Sequence, residues 1–206
     1  MEYTTVETCR YESEIRRSEF ITEIRRVKSE EELFEQLAQL KKKYSDATHI
    51  CYGAIFDKTG NGARFSDDGE PSGTAGAPIM DALKNSGLKE TLVAVVRYFG
   101  GIKLGAGGLV RAYSQSASDG IKTAKKIVCT LCDVYTLNLD FSRAKKAQTF
   151  FDKNQIEVLS IEYSDKVSYT LAVNIGRQIY ELISQFTAGN PDLLKTDEKF
   201  IEKKIN

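Results

Sequence analysis

The chain has 206 residues, of which 41% are hydrophobic and 28% charged, a composition that is ordinary for a soluble globular protein and excludes wholesale disorder. Its 29 basic residues balance 29 acidic ones, so nucleic acid could be held only by a local basic patch and not by a general positive field. The longest apolar run, Leu92 to Val96, is too short to cross a bilayer. We expect no secretory signal, because the first residues show no basic region followed by an apolar stretch. We therefore expect a cytoplasmic protein with no membrane partner.

The four cysteines, in a chain of this length without a secretory signal, favour a reducing compartment over a disulfide framework. Cys129 and Cys132 form a single closely spaced pair, and His49 is the only histidine that could join them. A structural zinc site needs four ligands, so we expect no metal and no cofactor. The cysteines are predicted to pack in strands as small hydrophobic residues.

The first third of the chain predicts strands around one helix. Val6 to Val27 indicates two strands with a turn near Arg16, Arg17 and Ser18. Ser29 followed by Glu32 is a capping box, and the helix after it carries an apolar face. A strand from His49 to Phe56, a glycine-rich turn and a short strand at 64–66 follow.

Two glycine-rich loops flank the most apolar segment. The first, Asp67 to Pro78, leads into a helix through about Asn85 that Gly87 can end. Residues 92–99 are β-branched and apolar, which predicts a buried central strand. The second loop, 100–108, leads into a helix with an apolar face at Leu109, Tyr113, Ala117 and Ile121.

The last third predicts the order β-α-β-β-α-β, which is the ferredoxin-like arrangement. A strand at 128–139 precedes a helix capped by Ser142, and strands at 156–163 and 167–174 follow. A helix over 179–186 and a final strand over 193–205 complete the pattern. We therefore predict an α+β chain with two domains, residues 1–127 and 128–206.

The two loops are the strongest candidates for chemistry. Five of the 15 glycines lie between residues 100 and 108, before a predicted helix N-terminus, with Arg97, Lys103 and Arg111 nearby. Exposed backbone amides and the helix dipole would suit a phosphate or carboxylate there. Turn geometry and close helix–sheet packing explain such glycines equally well, and neither named phosphate motif is present.

The acidic residues Asp67, Asp68 and Glu70 allow two interpretations. They could bind a divalent cation or act in acid–base chemistry. They could instead form a structural turn that pairs with Arg97 or Arg111, and this is the interpretation we favour. His49 and Cys51 fall on one strand face, but a structural histidine is favoured over a catalytic pair.

The loop sequences are similar to those of the Impact family, in its bacterial YigZ-type form. Two long stretches, 67–78 and 97–113, carry the resemblance, with weaker matches at 18–21 and 47–52. The resemblance covers residues 15–120 closely. The chain departs from the family pattern at Thr22, Ile50 and Gly53.

The resemblance implies a first domain like the second domain of ribosomal protein S5 and a second like the last domain of elongation factor G. Eukaryotic members of the family are translational regulators that act through a protein partner and carry an extra N-terminal domain, which we expect this chain to lack. Kinases of the galactokinase type share the first fold and hold a nucleotide at a glycine-rich helix N-terminus. These fold analogies are weak warrants for function.

Three functions remain open at this point. The favoured one is a non-enzymatic protein that contacts RNA, the ribosome or a protein partner in the regulation of translation. The alternatives are a phosphate-ligand-binding protein or enzyme that uses both loops, and an interaction module whose loops are purely structural. The candidate ligand- or RNA-binding residues are His49, Asp67, Asp68, Glu70, Ser72, Thr74, Arg97, Tyr98, Gly100, Gly101, Lys103, Gly105, Gly107, Gly108 and Arg111.

Overall fold

The computed structural model describes residues 1–205, in which ten strands form two sheets accompanied by five helices. The expectation of a chain that mixes helices and sheets is confirmed. In chain order, the strands are β1 Glu2–Val6, β2 Cys9–Ile15, β3 Ser18–Arg26, β4 His49–Ile55, β5 Ala63–Ser66, β6 Thr91–Tyr98, β7 Lys126–Leu139, β8 Glu157–Tyr163, β9 Val167–Asn174 and β10 Asp192–Ile205. The helices are α1 Glu30–Lys43, α2 Gly76–Ser86, α3 Ala106–Thr123, α4 Phe141–Lys153 and α5 Ile179–Thr187.

The chain divides into two compact units. One contains Tyr3–Val128 and residues 203–205, and the other contains Met1–Glu2 and Cys129–Glu202. No helix within residues 1–205 is both long and apolar enough to span a membrane.

The first unit is built on an antiparallel sheet in the order β2-β3-β6-β4-β5. Helix α1 packs its leucines on one face of this sheet, while α2 and α3 pack on the other. Strand β6 lies in the middle and is buried on both faces up to Arg97. The sequence of β6 is apolar and β-branched because neither of its two rows of side chains can reach water.

In the second sheet, which also includes β1 beside β7, the strands β10, β7, β9 and β8 lie in that order, and α4 and α5 share one hydrophobic core with them. Phe151 and Ile183 bring the two helices to the strands, and both are fully buried. The rings of Phe150 and Phe186 stack with their centroids 4.3 Å apart, which joins α4 to α5.

Two details of the predicted elements are wrong. Strand β1, which lies before the first predicted strand, was not predicted. Its five residues are too few to form a recognisable pattern. Ser142 does not cap α4, since the helix begins one residue earlier and Asp140 occupies the N-cap position. Asp140 makes no side-chain capping bond there.

The capping residue predicted for α1 is confirmed. The Ser29 hydroxyl oxygen accepts a hydrogen bond of 3.2 Å from the amide of Glu32. Replacing Ser29 by Ala leaves that amide without its partner, so we expect the free energy of unfolding to fall by about 1 kcal/mol. Urea denaturation measures the difference. The matched control is Ser142→Ala, the same chemical change inside a first helical turn, which we expect to alter stability by less than about 0.5 kcal/mol.

Candidate functional site

The site begins at the end of the central strand. Strand pairing places Arg97 of β6 directly opposite Phe20 of β3 and His49 of β4. Directly opposed residues project to the same face of a sheet. Because Phe20 belongs to the core under α2 and α3, His49 and Arg97 also lie on that face.

Arg97 forms a buried ion pair with Glu70. Its Nη1 donates to Glu70 Oε1 at 2.5 Å, and the Tyr113 hydroxyl donates to the same oxygen at 2.8 Å. The Arg97 guanidinium lies between two aromatic rings, 5.7 Å from the centroid of Phe20 and 5.5 Å from that of Phe99. The expected ion-pair role is therefore confirmed for Glu70, with Arg97 and not with Arg111.

Burial changes what Arg97 can do. The residue is only 5% exposed, and its charge is matched by that of Glu70. Grouping Arg97 with Lys103 and Arg111 as one cationic surface is therefore wrong. A guanidinium held in this way stabilises the loop and is not offered to a large anion.

Asp67 and Asp68 hold their loop together through backbone amides. Asp67 accepts hydrogen bonds from the amides of Gly73, Ala75 and Gly76 at the start of α2. Partial burial tends to raise the pKa of Asp67, but these amide bonds outweigh it and hold the pKa below its usual value. Asp68 Oδ2 accepts the amide of Ile50 at 2.7 Å. Both carboxylates therefore serve the fold.

The other candidates in the first loop have less chemistry. The Thr74 hydroxyl donates to the carbonyl of Pro71 at 2.6 Å, which closes a turn. Ser72 is exposed on the loop.

His49 is oriented by the first loop. Its Nδ1 lies 2.7 Å from the carbonyl oxygen of Asp68, and because a carbonyl only accepts, Nδ1 carries the proton. The other nitrogen, Nε2, lies 4.0 Å from Glu70 Oε2. The imidazole therefore bridges the first loop and the buried ion pair.

Cys51 does not pair with His49 as a nucleophile. The Sγ atom donates to the carbonyl of Asp67 at 2.9 Å and lies 3.5 Å from the Tyr113 hydroxyl. Burial raises the pKa of Cys51 to about 12, so the thiol stays protonated at neutral pH. A cysteine–histidine mechanism has no support here.

The second loop contains glycines with distinct roles. A side chain at Gly100 would collide with the backbone of Arg17 and Ser18 in the β2–β3 turn. Gly105 is the N-cap of α3 at φ 71°, a conformation that glycine adopts without strain, and it leaves α3 without a side-chain cap. Gly107 is required neither by close packing nor by a positive φ, and the nearest atom to a Cβ built there is Nη1 of Arg111 at 4.0 Å.

The remaining candidate residues of this segment lie in different parts of the first unit. The Tyr98 hydroxyl donates to Asp46 at 2.9 Å, outside the site. Gly101 lies exposed in the loop at φ 85°. Gly108 and Arg111 line a cavity of about 510 Å³ next to Arg16.

A second cavity, of about 320 Å³, gathers the other site residues. Its lining residues include His49, Glu70, Arg97, Lys103 and Gly105. Sequence reasoning missed Phe99 and Leu104, which supply apolar surface here, and Arg16 in the neighbouring cavity. Exposed apolar residues inside a glycine-rich loop are the signal that could have found the first two.

Comparison with known proteins places these features in a family. The model of the Impact N-terminal domain matches residues 16–121. The chain is 34% identical over 206 residues to the IMPACT family member YvyE of Bacillus subtilis, covering 99% of this chain and 95% of that protein. The chain belongs to the Impact family. Every residue that lines the two cavities, apart from Ile15, falls within the matched Impact domain.

Two further matches extend the likeness. The IMPACT family member YigZ of Escherichia coli is 30% identical over 191 residues, covering 90% of this chain and 93% of YigZ. A solved structure described as that of a hypothetical protein has a TM-score of 0.62 and 26% identity, covering 95% of this chain and 98% of its own. These matches span the second unit as well as the Impact N-terminal domain.

Proposed function

We propose that this member of the Impact family is a non-enzymatic protein that contacts RNA on the ribosome in the cytoplasm and takes part in the regulation of translation. The observation that carries the proposal is an exposed basic face on the first unit, formed by Arg16, Arg17, Lys103 and Arg111. Each of these side chains is exposed.

Folding gathers these cations from three separate segments. Arg16 and Arg111 line one cavity, although 95 positions separate them in the chain. The backbone of Arg17 packs on Gly100, three residues before Lys103. Within residues 1–205, none of the four forms an ion pair, so their charge is available to phosphates.

Charges and rings around the basic face also suit RNA. Glu14 and Glu19 lie opposite each other on β2 and β3. Because side chains alternate between the two faces of a strand, and Phe20 points to the face covered by α2 and α3, both carboxylates point to the face covered by α1. Phe99 is 48% exposed beside Lys103 and offers a ring on which a base can stack. A local patch of this kind is compatible with a chain of zero net charge.

The fold assignments implied by the resemblance support the same proposal. The strand order β10-β7-β9-β8, with two helices in one shared core, favours a ferredoxin-like second unit similar to the last domain of elongation factor G. We assign the first unit to the type of the second domain of ribosomal protein S5. Both comparisons are with proteins that work on the ribosome, and they remain analogies of fold.

The test is co-sedimentation with ribosomes across a salt series, using protein freed of nucleic acid. The triple variant Arg16→Gln, Arg17→Gln, Arg111→Gln removes three phosphate contacts and leaves Lys103 for the second cavity. We expect at least about a tenfold loss of affinity at low salt, and a slope of log affinity against log salt that is shallower by about 2–3.

The matched control changes Lys84, Lys122 and Lys125 to Gln. These exposed lysines lie in the same unit, at the C-terminal ends of α2 and α3. The control variant should pellet like the unchanged protein. Equal losses of ribosome affinity in the two variants would mean that only net charge matters. Pelleting that does not change with salt would point to a protein partner. Either result contradicts the proposal.

A further inference from the structure

The cavity of about 320 Å³ shares only Lys103 and Phe99 with the proposed RNA contact. It lies between the two glycine-rich loops, with His49, Glu70 and Arg97 on one side and Lys103 with the start of α3 on the other. Phe99, Leu104 and Leu109 supply apolar wall. Small-molecule sites have this composition, mostly apolar with a few convergent polar groups, at the lower end of their usual volume.

One side of the cavity presents two acceptors that need a donor. Only 4% of the Glu70 side chain is exposed, and Oε1 takes the hydrogen bonds of Arg97 and Tyr113. Glu70 Oε2 has no hydrogen bond within residues 1–205, and 4.0 Å from it lies His49 Nε2, whose ring proton is held on Nδ1. Both residues line the cavity, and the His49 side chain is 21% exposed, so a ligand in the cavity can reach these acceptors. Two hydroxyl groups of one ligand, or an amino group with two N–H protons, placed between the two atoms would satisfy both.

The opposite side of the cavity suits an anion. Helix α3 has 18 residues and no side-chain cap, so its first amides are available to a ligand. Gly105 and Ala106 line the cavity at this end, and Gly107 follows them in the first turn of α3; all three are exposed, and Lys103 adds a positive charge. Gly107 needs neither positive φ nor close packing, and the absence of a side chain lets a ligand approach the backbone.

We propose that this cavity binds a small phosphate monoester that also carries two neighbouring hydroxyl groups or an amino group. The phosphate lies against the first amides of α3 and Lys103. The two hydroxyl groups, or the amino group, donate to His49 Nε2 and Glu70 Oε2. The ligand's carbon skeleton contacts Phe99, Leu104 and Leu109. The two polar ends of the cavity thus select for both groups at once.

Three probes separate the two halves of this recognition. Inorganic phosphate carries the anion alone, ribose carries donors alone, and ribose 5-phosphate carries both. Calorimetric titration of the full chain should give an affinity for ribose 5-phosphate at least about tenfold tighter than for inorganic phosphate, with ribose undetectable. Amide chemical shifts of Gly107 and Gly108 should move with both phosphates. Equal affinities for the two phosphates, or no binding of either at about millimolar concentration, would overturn the proposal.

Two variants test which residues recognise the donor groups of the ligand and which recognise its phosphate. In His49→Asn, the side-chain amide can still donate to the carbonyl of Asp68, but the Nε2 acceptor is lost. We expect its affinity for ribose 5-phosphate to fall to that of inorganic phosphate. Gly107→Ala adds a methyl group at the anion end and should weaken both phosphates, while the better helix propensity of Ala raises the melting temperature.

The double variant Arg16→Gln, Arg17→Gln is the matched control, because neither residue lines this cavity, whereas Arg111 lies beside Gly107 at the anion end. It should bind ribose 5-phosphate like the unchanged protein. Its binding to ribosomes is measured separately by co-sedimentation. A failure of the ligand proposal can therefore be distinguished from a failure of the RNA proposal. Weakening of ribose 5-phosphate in this control by as much as in His49→Asn would show binding at the basic face and contradict the proposal.

Discussion

Replacing Glu70 by Ala is expected to lower the free energy of unfolding of the first unit by about 3–5 kcal/mol. The variant leaves the Arg97 guanidinium buried without its carboxylate and removes the acceptor of the Tyr113 hydroxyl. A buried charge without a partner keeps its full desolvation cost. Urea denaturation measures the loss, and faster hydrogen exchange at the amides of β6 and α3 locates it.

Two further variants show whether charge burial is the cause. Glu19→Ala removes an exposed carboxylate of the same sheet and should change stability by less than about 0.5 kcal/mol. The double variant Glu70→Leu, Arg97→Met removes both charges and should recover much of the loss, because an apolar pair carries no desolvation cost. A loss below about 1 kcal/mol in Glu70→Ala, or a double variant less stable than the single one, would contradict this account.

Local patterns in the sequence predicted most of the fold. Ser29 and Glu32 begin α1 as expected, and the apolar run of β6 lies in the centre of its sheet. These signals succeed because a cap or a buried strand is encoded by neighbouring residues. Ser142 failed for a related reason, since Asp140, two residues earlier, could also cap and the local pattern does not decide between them.

The candidate site depends on contacts that no local pattern encodes. Glu70 and Arg97 lie 27 residues apart, and the sequence left open whether Arg97 or Arg111 was the partner. Arg16 and Arg17 were predicted only as a turn. Their membership of a basic face follows from the packing of that turn against Gly100, a contact between segments more than 80 residues apart.

Gly100→Ala is expected to destabilise the first unit by about 3 kcal/mol, at the upper end of the usual cost of overpacking. A Cβ built on Gly100 would lie 1.8 Å from the carbonyl oxygen of Arg17 and 2.6 Å from the amide nitrogen of Ser18. These are backbone atoms, so no side-chain rotation relieves the collision. The β2–β3 turn and the glycine-rich loop must therefore separate, which also breaks the hydrogen bond of 3.2 Å from the Gly100 amide to Ser18 Oγ.

This separation gives the variant a functional consequence as well. Arg17 and Lys103 would move apart, so ribosome binding should fall together with stability, whereas loss of the Arg16, Arg17 and Arg111 charges should lower binding alone. Gly107→Ala is the steric control, because a Cβ there meets no atom closer than 4.0 Å. Equal denaturation midpoints for Gly100→Ala and Gly107→Ala would mean that the turn and the loop are not in contact, and the basic face would lose the packing that assembles it.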